Sequence, residues 1–503
     1  MVYMADRGSD EGSSMPGPHC VKDASSAVCD PNELKRTIGW KQGLFIALGV
    51  PLLILPSIGY TASYLWAAAV ILWGLSVFQG FMQNLAYGEM ATAFPKASGL
   101  PGFAQAIFTN RNSKSKYDRG RFIGAFSAWG YWFAWNPVLA IFSLTIASYL
   151  QGLVPQLAEI DYVILALLVG AVIFSLLLLV NSRGISQGAK IGLILALFSL
   201  VPLVVITLAP FVTGTFELSN VTGALVPDDW AWDMHHILII LGLFGIAQWS
   251  ACAWETAAIY GPQYKKPGSD VPKALFGCGL VCLFTFIVVQ LSVTGVLGVE
   301  GVVNESVSPL LPVANATFGQ AGGAVMIIML VAAMVLIIQT AYLGSATAMQ
   351  SMAAEGNLPN YFAKLNTKGV PVRAMVLIAI FNMLLITLET PTAILAASAM
   401  GYTCANAISL FAFWKARTDP KLAKLDRPFK APKPWKYVAM VFGLFNIPLC
   451  LIGIIYLNGM EFGSSAIAVG AIVLALFVPI WLITQNRNHK VEVIEQAGEA
   501  PIN

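Results

Sequence analysis

The chain has 503 residues, of which 57% are hydrophobic and 11% charged; a soluble domain carries about 25% charged residues. With a mean hydropathy of +0.72, this composition excludes a water-soluble surface over the bulk of the chain and places it in lipid. The net charge of +3 says nothing about nucleic acid, because the basic residues are not gathered on one soluble face, and no nucleic-acid partner is expected.

Residues 1–37 are polar, rich in Gly, Ser and charge, and hold Cys20 and Cys29. They read as a disordered tail and not as a secretory signal. The other five cysteines (Cys252, Cys278, Cys282, Cys404 and Cys450) lie in apolar segments without metal-ligand spacing, and the four His are scattered. They read as small apolar packing residues, so no metal and no cofactor is expected.

A bilayer-spanning helix needs about 20 mostly apolar residues. Twelve segments qualify: 40–62, 64–92, 122–152, 160–180, 187–213, 236–259, 274–298, 322–352, 372–389, 393–414, 436–458 and 463–485. The longer windows predict tilt or a break. Lys and Arg fall in alternate loops, culminating in the run from Lys415 to Lys436, whereas the intervening loops hold acids such as Glu159, Asp233, Glu300, Glu389 and Glu461. By the positive-inside rule both termini are cytoplasmic, in a plasma-membrane protein.

The first span reads GLFIALGVPLLILPSIGYTASYLW, with Gly49, Pro51, Pro56 and Gly59 through its middle. Proline removes a backbone donor and clashes with the preceding turn, and glycine weakens a helix. The sixth reads LGLFGIAQWSACAWETAAIYGP and places Gln248, Ser250 and Glu255 at comparable depth. Unwound backbone is tolerated inside a membrane only where it is buried in protein or lines a cavity, so both breaks are expected to line a path across the membrane. Glu255 is the acid placed deep in a span, where burial costs about 2.5–3.5 kcal/mol on insertion scales. Its bland alternative is a solvated helix end. Glu89, at the inner end of the second span, reads as a cap facing water.

The third span contains AWGYWFAWNP, with Trp129, Trp132 and Trp135 three residues apart. These fit an interfacial belt or a stacking wall for an organic cation. Trp249 and Trp254 flank the sixth-span break. Gln339, Tyr342, Ser345, Thr347, Tyr402 and Asn406 on the eighth and tenth spans read mostly as helix-packing polar groups. Asp233, His235 and His236 sit at the outer mouth. Neither a phosphate loop nor an HExxH motif occurs, which argues against ATP-driven transport and against an enzyme.

Three motifs fall in order at helix ends. They are YGEMATAFPKASGLPGFA from Tyr87, WETAAIYGPQYKKPGSDVPKAL from Trp254, and SMAAEGNLPNYFAKLNTKGVPVRA from Ser351. On these the chain resembles the amino acid–polyamine–organocation (APC) permeases over about residues 38–455. The resemblance implies an all-α, LeuT-like fold of twelve transmembrane helices, a five-plus-five inverted repeat with helices 1 and 6 broken. The repeats would be 38–213 and 214–417, followed by helices 11 and 12 at 418–485 and a cytoplasmic tail at 486–503. It implies a secondary transporter or exchanger of amino acids or related amines, with the lipid bilayer and a coupling ion, H+ or Na+, as further partners.

The implied substrate site is Gly49, Val50, Pro51, Leu52, Trp132, Gln248, Trp249, Ser250, Cys252, Trp254, Glu255 and Tyr342. Ser199, Ser345 and Thr347 are the candidates for coupling. Two departures matter. Relatives usually carry Gly-Ser/Thr-Gly where this chain has Gly49-Val50-Pro51, and Pro51 cannot donate to a carboxylate. Ser199 stands where many relatives carry a lysine, which weakens a lysine-based proton mechanism. An amine lacking a carboxylate is therefore an alternative substrate. A non-transporting sensor would need a signalling domain, for which the tails are short. Glu255 has three expected uses: attracting an ammonium group, binding a proton, or tying the loosened backbone of the broken helices together.

Overall fold

A computed structural model describes residues 36–47, 50–97, 99–110, 115–184, 201–251, 255–305 and 307–498. Gly49, Ser199, Cys252, Trp254 and the tail 1–35 lie outside the described residues.

Within them the chain is helical throughout, with no strand and one isolated bridge between Ile38 and Tyr264. The principal helices are α1 (Trp40–Ala47), α2 (Ile58–Leu65), α3 (Ala69–Ala93), α4 (Gly99–Phe108), α5 (Arg119–Trp135), α6 (Val138–Leu153) and α7 (Tyr162–Ser182). They continue as α8 (Val201–Thr213) and α9 (Met234–Ala251). Then come α10 (Thr256–Ile259), α11 (Pro267–Asn304), α12 (Leu310–Ala354), α13 (Val372–Ile386), α14 (Pro391–Thr418), α15 (Trp435–Pro448), α16 (Ile455–Glu461) and α17 (Gly463–Gly498).

Among the described residues eight helical stretches are long and apolar enough to cross a bilayer, and Val201–Thr213, Met234–Ser250 and Val372–Ile386 are shorter apolar helices. One stretch, Leu52–Ala93, holds both α2 and α3, because Trp66 leaves the helical region at φ 48° and ends α2. Another, Arg119–Leu153, holds α5 and α6. Pro137 lies between them and lacks the N–H that would continue the ladder. The expected third span is thus two helices in line.

The outward faces confirm lipid as the solvent. On α7, Ile164, Leu168, Val172 and Leu176 recur every four residues and are each more than half exposed, a stripe no water-facing helix would carry. The interior is polar by comparison. Asn181 and Gln339 exchange hydrogen bonds between α7 and α12 at 2.9 and 2.7 Å. Asn382 donates to Asn136 at 2.7 Å and accepts from the Ala140 backbone at 3.0 Å. In hydrocarbon such pairs fix which helices are neighbours.

Candidate functional site

The first helix is interrupted where its sequence weakens it. α1 ends at Ala47, a tighter 3-10 segment runs Val50–Ser57 through Pro51 and Pro56, and α2 resumes at Ile58. In the sixth span α9 ends at Ala251 and α10 begins at Thr256 directly after Glu255, and the expected break at 252–254 lies outside the described residues. The end of the 3-10 segment meets the end of α9, with Ser57 Oγ 3.5 Å from Ser250 Oγ. Leu52 is buried.

The segment before α1 is joined to the segment after α10 as well. The Ile38 N–H donates to the Gln263 carbonyl at 3.0 Å, and the Lys265 N–H donates to the Ile38 carbonyl at 2.8 Å. Gly43 lies flat against the Tyr264 ring, whose hydroxyl donates to the Ala257 carbonyl at 2.9 Å.

Glu255 is 1% exposed, which overturns the solvated-end reading. The hydroxyl of Tyr131, on α5, donates to its Oε1 at 3.3 Å, and Tyr402, on α14, hydrogen-bonds the same carboxyl group. Both tyrosines reach it because α5 and α14 touch backbone to backbone. A Cβ at Gly401 would lie 2.5 Å from the Gly130 carbonyl oxygen, and one at Gly130 would lie 2.9 Å from that of Gly401. Each tyrosine follows its glycine by one residue.

One turn beyond Tyr402, Asn406 is fully buried and joins four side chains. Its Nδ2 donates to Gln83 Oε1 at 3.0 Å, to Gln248 Oε1 at 3.4 Å and to the Tyr402 hydroxyl at 3.5 Å. Its Oδ1 accepts from Tyr87. The Nε2 groups of Gln79, Gln83 and Gln248 are buried without a hydrogen-bond partner among the described residues. Unpaired amides in a dry interior are costly, and a built polar site is one reason they persist.

The other expected site residues divide. Gln248, Trp249 and Ser250 are at the site; the Trp249 indole donates to the Ala134 carbonyl at 3.0 Å and packs the sixth helix on α5. Trp132 stacks on Trp129 at 4.6 Å between centroids and faces Phe381 on α13. Trp129, Trp132 and Trp135 are all buried, so the interfacial belt is not what they form. The Tyr342 hydroxyl donates to the Met375 carbonyl at 3.0 Å. Ser345 and Thr347 are buried, and Ser345 Oγ has no partner among the described residues.

Glu89 does not face water. It is 1% exposed and clamped by Arg417, by Arg427 at 2.8 Å and by the Ala431 N–H at 2.8 Å. At the far side, Asp233 lies 2.8 Å from His236 Nδ1. The backbone N–H and imidazole of His236 hold its carboxyl below the usual carboxylate range. An inner cavity of about 610 Å³ opens between α4, α5 and the end of α12, and Lys96, Arg121 and Glu355 line it. Among the described residues no group of three His, Cys, Asp or Glu is placed to hold a metal.

Tyr131, Gln83 and Tyr87 were missed from sequence. Gln79, Gln83 and Tyr87 form an i, i+4, i+8 polar stripe on α3, a signal that the sequence carries.

A family model described as amino acid permease matches residues 38–478. The chain is 26% identical over 325 residues to the arginine/ornithine antiporter ArcD1 of Lactococcus lactis, covering 61% of this chain and 60% of that protein. It is 25% identical over 371 residues to the uncharacterized amino acid permease YecA of Bacillus subtilis, covering 70% and 78%. It is 27% identical over 215 residues to a probable polyamine transporter of Arabidopsis thaliana, covering 43% and 40%. The match thus spans about 60% of the antiporter's length. With a family match over most of its length and apolar helices arranged around a buried polar centre, the chain is an integral membrane protein that belongs to the amino acid permease family.

Proposed function

We propose that this protein is a secondary transporter or exchanger of amino acids or related amines that works by alternating access around the interrupted first and sixth helices. In this reading twelve helices form two inverted repeats, 38–213 and 214–417, with both termini in the cytoplasm of a plasma-membrane protein. The observation that carries it is Glu255, a fully buried carboxyl group at the interruption of the sixth helix, held by one tyrosine from α5 and one from α14. A group so placed joins the moving inner halves to helices that stay fixed, and its bonds must break for the path to open inward. Glu255 is then a gate, and Ser57, Gln248, Trp249 and Ser250 line the substrate side of it. The bridge between Ile38 and Gln263 moves the inner ends of both broken helices together. Ser345 and Thr347, with Ser199, remain the candidates for the coupling ion.

The named activities of the relatives, arginine/ornithine exchange and probable polyamine transport, favour a substrate with an amine. Proteoliposomes loaded with a panel of amino acids and amines test this. Saturable uptake or counterflow of at least one is expected, and none across the panel removes the proposal.

A second reading drops the carboxylate from the substrate. Pro51 favours it, since the first-helix interruption lacks that N–H. Competition between each amino acid and its decarboxylated amine decides; preference for the amino acid excludes the second reading.

A further inference from the structure

The stretch 415–436 carries eight basic residues against Asp419 and Asp426. It is not a free loop. Arg417 Nε and Arg427 Nη1 both bind Glu89 Oε1, at 2.9 and 2.8 Å, and the Trp435 indole donates to the Met82 carbonyl on α3 at 2.9 Å. One carboxylate faces two guanidinium groups, and Arg427 is only 7% exposed, its Nε without a partner among the described residues. The strap therefore holds positive charge that the protein does not fully balance.

Beside this clamp is an open pocket of about 490 Å³ lined by Arg417, Lys433, Pro434, Lys436 and Tyr437. Lys436 Nζ lies 4.8 Å from the Tyr437 ring centroid. Neither lysine has an acidic partner among the described residues. Tyr437 starts a stripe on α15 that continues through Val441 and Leu444, 56%, 57% and 52% exposed. Spaced i, i+4 and i+7, these side chains share one face of the helix. A basic pocket thus sits at the foot of an apolar track.

We propose that this pocket binds the phosphate headgroup of an anionic glycerophospholipid, with an acyl chain along Tyr437, Val441 and Leu444. The strap lies on the face that the Lys/Arg bias assigns to the cytoplasm, where anionic lipids face it. Lys433 and Lys436 supply point charges and donors to the phosphate. The apolar track selects a lipid over a soluble phosphate, because only a lipid uses both halves. A bound lipid would offset the surplus charge of the clamp and brace the junction of α14 and α15 against α3.

Native mass spectrometry of the purified full chain, with phosphatidylglycerol and phosphatidylcholine offered together, tests this. Phosphatidylglycerol is expected to be retained at least tenfold better. Lys433→Gln/Lys436→Gln is expected to weaken it about thirty-fold, which corresponds to about 1 kcal/mol for each lysine. Lys433→Arg/Lys436→Arg keeps the charge and is expected to retain the lipid, which guards against a variant that merely unfolds. Lys364→Gln/Lys368→Gln, in another basic loop, is expected to change nothing. Equal retention of the two lipids, or equal loss in the control pair, overturns the proposal. Displacement of phosphatidylglycerol by an equal concentration of inorganic phosphate overturns it in favour of a soluble-anion pocket.

Discussion

Tyr131 and Glu255 are 124 residues apart in the chain, yet the tyrosine hydroxyl donates to the carboxyl group at 3.3 Å in a fully buried place. Helix α5 is thereby fastened to the residue from which α10 starts. If the carboxyl group acts as a tie, its oxygen acceptors matter more than its charge. Glu255→Gln keeps one acceptor and is expected to lose less than about threefold in transport rate. Glu255→Ala strands two tyrosine hydroxyls, at about 1–3 kcal/mol for each buried unpaired group, and is expected to lose about tenfold or more. Initial rates in proteoliposomes across a pH range measure both. A flattened pH profile in Glu255→Gln would instead assign the residue a proton. Wild-type rate and affinity in Glu255→Ala at every pH would leave it no role.

The hold of both tyrosines on Glu255 depends on α5 and α14 touching at Gly130 and Gly401. Gly401→Ala would put a methyl 2.5 Å from a carbonyl oxygen, closer than any real contact, so the helices must part. Overpacking of this kind costs about 1–3 kcal/mol. Gly401→Ala is expected to lower the unfolding temperature and slow transport together, since Tyr402 leaves Glu255. Gly74→Ala on α3 is the control: its new methyl meets Ile287 at an ordinary 3.9 Å. The test fails the idea if the two variants behave alike.

Much of this was legible in the residues themselves. The lipid-facing character follows from composition, and the 3-10 stretch Val50–Ser57 from Pro51 and Pro56. Side-chain partners were less legible. Tyr342 bonds the Met375 carbonyl and Trp132 stacks on Trp129, partners that the spacing of these residues in the chain does not announce. Glu89 shows the other limit. It lies near a helix end, where water is the usual partner, and the residues that bury it come from 328 and 338 positions later. Long-range pairing of this kind leaves no local trace.

Glu89 is the carboxylate on which the basic strap 415–436 hangs. Breaking a buried ion pair by removing one partner costs about 3–5 kcal/mol, because the remaining charge is left uncompensated. Here two guanidinium groups would be left. Glu89→Gln is expected to be strongly destabilised in a detergent unfolding assay. The double variant Glu89→Gln/Arg427→Met removes the most buried of the stranded charges and is expected to recover part of the loss. If the double variant is less stable than Glu89→Gln, the clamp is not held by charge.

Asn406 offers the sharpest test of whether the polar centre acts as one unit. It donates to Gln83, Gln248 and Tyr402 and accepts from Tyr87, so one side chain joins α3, α9 and α14. Single hydrogen bonds between membrane helices are worth about 0.6 kcal/mol on average, so four independent contacts would sum to roughly 2 kcal/mol. A linked cluster behaves differently. Once Asn406→Leu has broken it, removing Gln83 as well should cost little more. The double variant Gln83→Leu/Asn406→Leu is therefore expected to fall short of the sum of the single variants by about 0.5–3 kcal/mol, the range for residues in one network. Transport supplies the second reading: because Asn406 touches Tyr402, its loss is expected to lower the maximal rate more than the apparent affinity. Additive stabilities, within about 0.5 kcal/mol, together with a change confined to affinity, would show instead that Asn406 contacts substrate and does not tie the gate to α3.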